Sequence, residues 1–205
     1  MLAEYGIAIP KGITYIHSEL PRILGENPYD IGGLMLGCLT ELYNRFCYLD
    51  KKIDAYTKKI EGLFKNNEEC QRLEKIPGIG ILGATMLASI LGNGGGFKNG
   101  RHFAAFLGLT PRQYSSGGKE RLLGISKGGD TYIRTLLIHG ARSVLLCVDK
   151  KDDKQSTWLK NLMIRAGHNK TAVALANKIA RTAWAIIAEG TNYSANYEPV
   201  FLKTA

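Results

Sequence analysis

The sequence predicts an all-α protein in which a coiled-coil helix precedes a helical domain containing a helix-hairpin-helix unit. Three observations predict this. Apolar residues recur in alternating steps of four and three from Met35 to Leu63, the spacing of a coiled-coil seam. A helical run is broken at Pro77-Gly78 and resumed at Ile81. Beyond it, helix-periodic segments alternate with capping residues and glycines, and no convincing period-2 strand pattern occurs.

Residues 1–30 read as a linker region, because Gly6, Pro10, Gly12, Pro21, Gly25 and Pro28 punctuate them and leave room for one short helix at most. Residues 31–66 form the coiled-coil helix. Its stripe is Met35, Leu39, Leu42, Phe46, Leu49, Ile53, Tyr56, Ile60 and Leu63, with Asp50, Lys51, Lys52, Lys58, Lys59 and Glu61 off it. Such a seam wants a second helix, from another copy or from a hairpin; a single amphipathic helix on a globular core is the competing reading.

The helical domain covers 67–190. Within it, residues 73–91 (LEKIPGIGILGATMLASIL) read as two helices joined at glycines. This segment resembles the helix-hairpin-helix motif, in which backbone N–H groups around positions such as Gly78 and Gly80 hold a phosphate without reading bases. Glycines that only permit close helix packing would give the same pattern. Asn93-Gly94-Gly95-Gly96 reads as a flexible break and Arg101–Leu107 as a short helix ending at Gly108. Asp130 is the expected N-cap of a helix running to about Val148. Helices follow over Thr157–Arg165 and Lys170–Glu189, and 191–205 reads as a loosely held tail.

The chain carries a net charge of +9, unevenly placed: residues 97–181 hold 16 Lys and Arg against 5 Asp and Glu, the remainder 11 against 13. Excess charge confined to one segment points to a polyanionic partner such as nucleic acid. Cys38, Cys47, Cys70 and Cys147 are scattered with no C-x-x-C pair, which argues for a reducing compartment and against zinc. No signal-peptide layout or membrane-length apolar run occurs, so a cytoplasmic protein without membrane contact is expected.

The densest chemistry lies in the serine loop, residues 111–130, and the helix start that follows it. Between Pro111 and Arg134, Gly117, Gly118, Gly124, Gly128 and Gly129 surround Ser115 and Ser116, with Arg112, Lys119, Arg121, Lys127 and Arg134 among them. Glycines let backbone N–H groups approach an anion, the five cations would neutralise a phosphodiester, and a serine there could attack it. Serines also simply belong in glycine-rich loops, and local sequence leaves both roles open. No Ser–His–Asp arrangement follows from spacing. Asp149, Asp152 and Asp153 sit among lysines as in a solvated turn, so no metal-binding set is expected.

The order IPGIG, then FAAFLGLTPR, then YSSGGK, then GISKGGD and YIRTLL closely resembles the DEDD insertion-sequence transposases of the one-ten and eleven-eleven groups, which are guided by a bridge RNA. The resemblance implies a transposase domain over 67–190, a coiled-coil linker over the heptads and homo-oligomerisation through 35–63. It also implies DNA and a guide RNA as partners. Its Ser-Gly pair falls on Ser116-Gly117, making Ser116 the implied nucleophile on a DNA phosphodiester and Ser115 the alternative. The family's four magnesium-binding acids lie in an N-terminal RuvC-like domain that this sequence does not match. No cofactor is therefore expected on this chain itself, and a fragment, remnant or split partner is the expectation. A non-catalytic helix-hairpin-helix nucleic-acid-binding and oligomerisation module is the alternative function, and an oligomerisation remnant with little affinity for nucleic acid a third.

Overall fold

The computed structural model describes residues 2–115 and 121–194. Its eight described helices are α1 (Ile13–Glu26), α2 (Gly33–Lys65), α3 (Glu68–Glu74), α4 (Ile81–Leu91), α5 (Gly100–Phe106), α6 (Thr131–Leu146), α7 (Lys154–Ala166) and α8 (His168–Glu189). The all-α expectation holds with one exception, an antiparallel pair of short strands, β1 (Pro111–Gln113) and β2 (Leu122–Ile125). The chain divides after Lys59 into two compact units.

In the first unit the expected linker region contains a 14-residue helix, α1, that accommodates Pro21. Ile7, Ile23, Ile31 and Leu39 bury a small core of their own. The turn after α1 is closed by Asn27, which sits in the left-handed region at φ 42°; its Oδ1 accepts from the Ile31 N–H at 2.8 Å and its Nδ2 donates to the Ile31 carbonyl at 3.1 Å. His17 adds a second tie, pairing with Asp50 at 3.1 Å and resting on Phe46. The heptad stripe lies on one 33-residue helix, α2. Leu39 is covered, but Leu42, Leu49, Ile53 and Tyr56 remain 49–62% exposed, an unusual outlay of apolar surface for one helix.

In the second unit α8 is the hub, touched by α3, α4, α5, α6 and α7. Its buried face, Ala172, Leu175, Ala176, Ile179, Ala180, Ala183, Ile186 and Ile187, follows the helical period, and the alanines let neighbouring helices close in. Phe103, Leu87, Leu73, Ile133 and Leu159 fill the space around it. Side-chain caps set the helix starts: Asn67 before α3, Asn99 before α5, Asp130 before α6 and Asp153 before α7 each accept a hydrogen bond from the first turn. The Asp153 carboxyl is held below its ordinary range chiefly by the Ser156 N–H.

The Asn93–Gly96 segment, expected to be a flexible break, is anchored. Trp184 Nε1 donates to the Gly94 carbonyl at 3.2 Å, and a Cβ on Gly94 would lie 2.8 Å from that of Ala188. At the start of the expected tail, Tyr193 packs on the core and its hydroxyl meets Gln155. No helix among the described residues is long and apolar enough to cross a membrane.

Candidate functional site

The serine loop hangs from β1 and β2, which pair Pro111 with Ile125 and Gln113 with Leu122. Main-chain bonds extend the ladder at both ends: Tyr114 N–H to Arg121 C=O at 2.9 Å, Ser126 N–H to Thr110 C=O at 2.8 Å, and Lys127 N–H to Gly108 C=O at 3.2 Å. Both strands are exposed almost throughout, so backbone pairing rather than burial fixes the hairpin. Ser115 is exposed and its Oγ accepts from Gln113 Nε2 at 3.0 Å. Ser116 and Lys119 lie outside the described residues.

Arg112 on β1 and Arg121 beside β2 are exposed on the paired segments that carry the loop, and Lys127 is exposed just past β2. Lys127 adopts φ 57°, a left-handed conformation uncommon in a non-glycine residue. The base of the hairpin is unusually close-packed. Gly108 and Gly129 both have positive φ; a Cβ on Gly129 would sit 1.9 Å from the Phe106 carbonyl oxygen, and one on Gly108 would sit 2.2 Å from that of Gly128. Only glycine fits at either position.

Arg134 stands differently from the other cations. It is buried, with Nη1 donating to the carbonyls of Leu107 at 3.1 Å and Gly128 at 2.8 Å, and Nη2 to Thr131 Oγ1 at 3.0 Å. These bonds lock the α5 end to the β2–α6 connection, so Arg134 holds the hairpin from beneath. Asn177 of α8 adds a third support by donating to the Leu109 carbonyl at 3.2 Å. Sequence reasoning missed Asn177, and it named Gly108 only as a helix end and Gly129 only as one of the loop glycines, without their close packing.

Gly78 and Gly80 sit in the α3–α4 turn, away from the hairpin base. Gly78, at φ 93°, is pressed against α6: its Cβ would lie 2.8 Å from the Gly140 carbonyl oxygen. Gly140 is six residues beyond Arg134, about 9 Å along the helix, so α6 supports the hairpin at one end and the turn further along. Gly80 is the N-cap of α4 and has open space around it. Burial raises the pKa of the Cys70 thiol, as expected of a packing residue. Among the described residues no group of three or more His, Cys, Asp or Glu side chains could hold a metal ion.

Residues 70–157, which span the hairpin and Arg134, match the family model described as the Transposase IS116/IS110/IS902 family. Over 193 residues the chain is 43% identical to the transposase for insertion sequence element IS1111A of Coxiella burnetii, covering 94% of this chain and 53% of that protein. It is 41% identical to a probable family 20 transposase of Pseudomonas aeruginosa (94% of this chain, 57% of that protein). The transposase for IS1328 of Yersinia enterocolitica is 37% identical with the same coverage. The chain spans about half the length of these curated relatives.

Proposed function

Because the chain belongs over residues 70–157 to the IS116/IS110/IS902 transposase family, we propose that it acts in DNA transposition as the portion of a transposase that grips DNA and supplies a serine nucleophile. The observation that carries this is the mounting of the serine loop. The segments on either side of Ser116 are paired strands, each with an exposed arginine on or beside it, and a buried arginine fixes the base of the hairpin. A loop that only joined two helices would need none of this support.

Ser116 is the proposed nucleophile and Ser115, one residue along, its alternative. The hydroxyl oxygen bonds to phosphorus, the bond from phosphorus to the leaving deoxyribose oxygen breaks, that oxygen takes up a proton, and the serine proton passes to water. A hydroxyl of another strand then attacks the same phosphorus, the bond from phosphorus to the serine oxygen breaks, the serine oxygen regains a proton, and the attacking hydroxyl gives its own to water. Arg112, Lys119, Arg121 and Lys127 stabilise the negative charge that grows on the phosphoryl oxygens, while Arg134 positions the loop. Magnesium belongs, in this reading, with the four acids of the RuvC-like domain that the resemblance implies.

The proposal is tested with this chain in a transposition-competent assembly on DNA carrying the element's ends. Ser116→Ala abolishes the covalent protein–DNA adduct and leaves salt-sensitive DNA binding in place. Adduct that survives Ser116→Ala but is lost with Ser115→Ala moves the role one residue, and adduct indifferent to both leaves only the nucleic-acid-binding module. A guide RNA belongs to the same proposal and is tested by its co-purification with the assembly.

The exposed stripe on α2 is the proposed seam between copies. Leu42, Leu49 and Ile53 are 49–62% exposed, so burying the remainder of each contributes about 1–2 kcal/mol per copy toward a dimer. Leu42→Glu with Leu49→Glu raises the dimer dissociation constant at least about 100-fold in sedimentation equilibrium. An unchanged oligomeric state excludes the seam.

A further inference from the structure

Within the second unit a groove of about 750 Å³ runs between α7, α8 and the start of α5. One stripe of α8, Ala174, Lys178, Arg181 and Ala185, forms its floor, as positions separated by three or four residues share a helix face. Gly100 brings the next wall in: a Cβ there would lie 2.9 Å from the Arg181 carbonyl oxygen, so α5 starts hard against α8 and places Arg101 on the groove. From α7 comes Trp158, 37% exposed, with the Lys178 ammonium 5.0 Å from its ring centroid.

Arg101, Lys178 and Arg181 are all exposed, and none makes an ion pair among the described residues. Among the described residues the one carboxylate lining the groove, Glu189, lies eight residues beyond Arg181, about 12 Å further along the helix. Among the described residues the groove therefore carries unneutralised positive charge beside a partly exposed aromatic side chain. That combination suits a polyanion with flat apolar rings between its charges.

We propose that this groove binds single-stranded nucleic acid, with a base stacked on Trp158 and the flanking phosphates at Arg101, Lys178 and Arg181. Base stacking on an aromatic side chain needs an unstacked base, which a duplex does not offer. The groove shares Asn177 with the supports of the serine hairpin, but the proposal does not depend on the nucleophile reading.

Both tryptophans of the chain, Trp158 and Trp184, line the groove, so indole emission reports on it directly. The test titrates the full chain with fluorescein-labelled oligothymidine and oligouridine of about 12 nucleotides, within the usual site size, and with a duplex of equal length, following anisotropy and tryptophan quenching. Single strands bind and quench. Trp158→Ala weakens binding about fivefold or more, and Lys178→Glu with Arg181→Glu weakens it at least about tenfold and reduces the salt slope by about 1.4, at roughly 0.7 per lost phosphate contact on a single strand. Ser116→Ala leaves both signals unchanged. The relative affinities for the two oligomers say whether the strand is DNA or RNA. Binding without quenching, preference for duplex, or indifference to the charge reversals in variants with unaltered circular dichroism overturns the site.

Discussion

Arg134→Met is expected to lower the stability of the second unit by about 3–5 kcal/mol. The side chain is only 7% exposed and donates to the buried Leu107 carbonyl, to the Gly128 carbonyl and to the Thr131 hydroxyl. Methionine fills much of the volume but donates nothing, and a buried acceptor left unpaired costs about 1–3 kcal/mol. Arg134→Lys keeps the charge, yet one ammonium does not span the Leu107 and Gly128 carbonyls as a guanidinium fork does, so it recovers only part of the loss. For a chain of this size 3–5 kcal/mol corresponds to roughly 10 °C in Tm. Hydrogen exchange localises the effect: the Ser126 and Lys127 amides, bonded to Thr110 and Gly108, lose protection before those of α8. A variant that melts with the parent and protects those amides equally would show that the clamp is idle.

The position of Arg134 also illustrates what one sequence conveys. Its charge within a basic loop makes it look like one more phosphate ligand. Its burial depends on the Leu107 carbonyl 27 residues away, a contact that no local pattern encodes. Asp130 is the opposite case, because a cap acts on the next three residues and the expected bonds to Tyr132 and Ile133 are present at 2.7 and 3.1 Å. The hairpin escaped notice since Leu122-Leu123-Gly124-Ile125 does not alternate in polarity and three of its four residues are exposed; period-2 reasoning needs a buried face to read. α1 was obscured by Pro21, which marks a break only where tertiary contacts such as those of Ile23 do not favour the helix. The single-strand groove joins Trp158 and Lys178 from different helices; its cations lie in the basic segment 97–181, but no local pattern brings them to the tryptophan.

Gly140→Ala carries the second large expectation, and its sign is diagnostic. In an ordinary helix interior this change stabilises by about 1 kcal/mol. Here the added methyl would stand 1.8 Å from the Gly78 carbonyl oxygen, and backbone on both sides leaves no flexible side chain to yield. Turn and helix must separate, at a cost of about 2–4 kcal/mol from overpacking. Gly78→Ala meets the same interface from the other side and adds the strain of φ 93°, so it destabilises at least as much. Because the two changes force apart one contact, the double variant is less destabilised than the sum of the singles. Gly80→Ser is the control: nothing lies near that Cβ, serine caps helices slightly better than glycine, and the melting temperature stays the same or rises. Urea unfolding of the four variants separates the two roles that the sequence leaves open for this turn. If Gly140→Ala is destabilising while Gly80→Ser is neutral, close packing accounts for Gly78, and any phosphate contact of the turn has to come from the free N–H groups around Gly80 at the start of α4. If Gly140→Ala is neutral, turn and helix do not meet as closely as described, and packing no longer accounts for the glycine at 78.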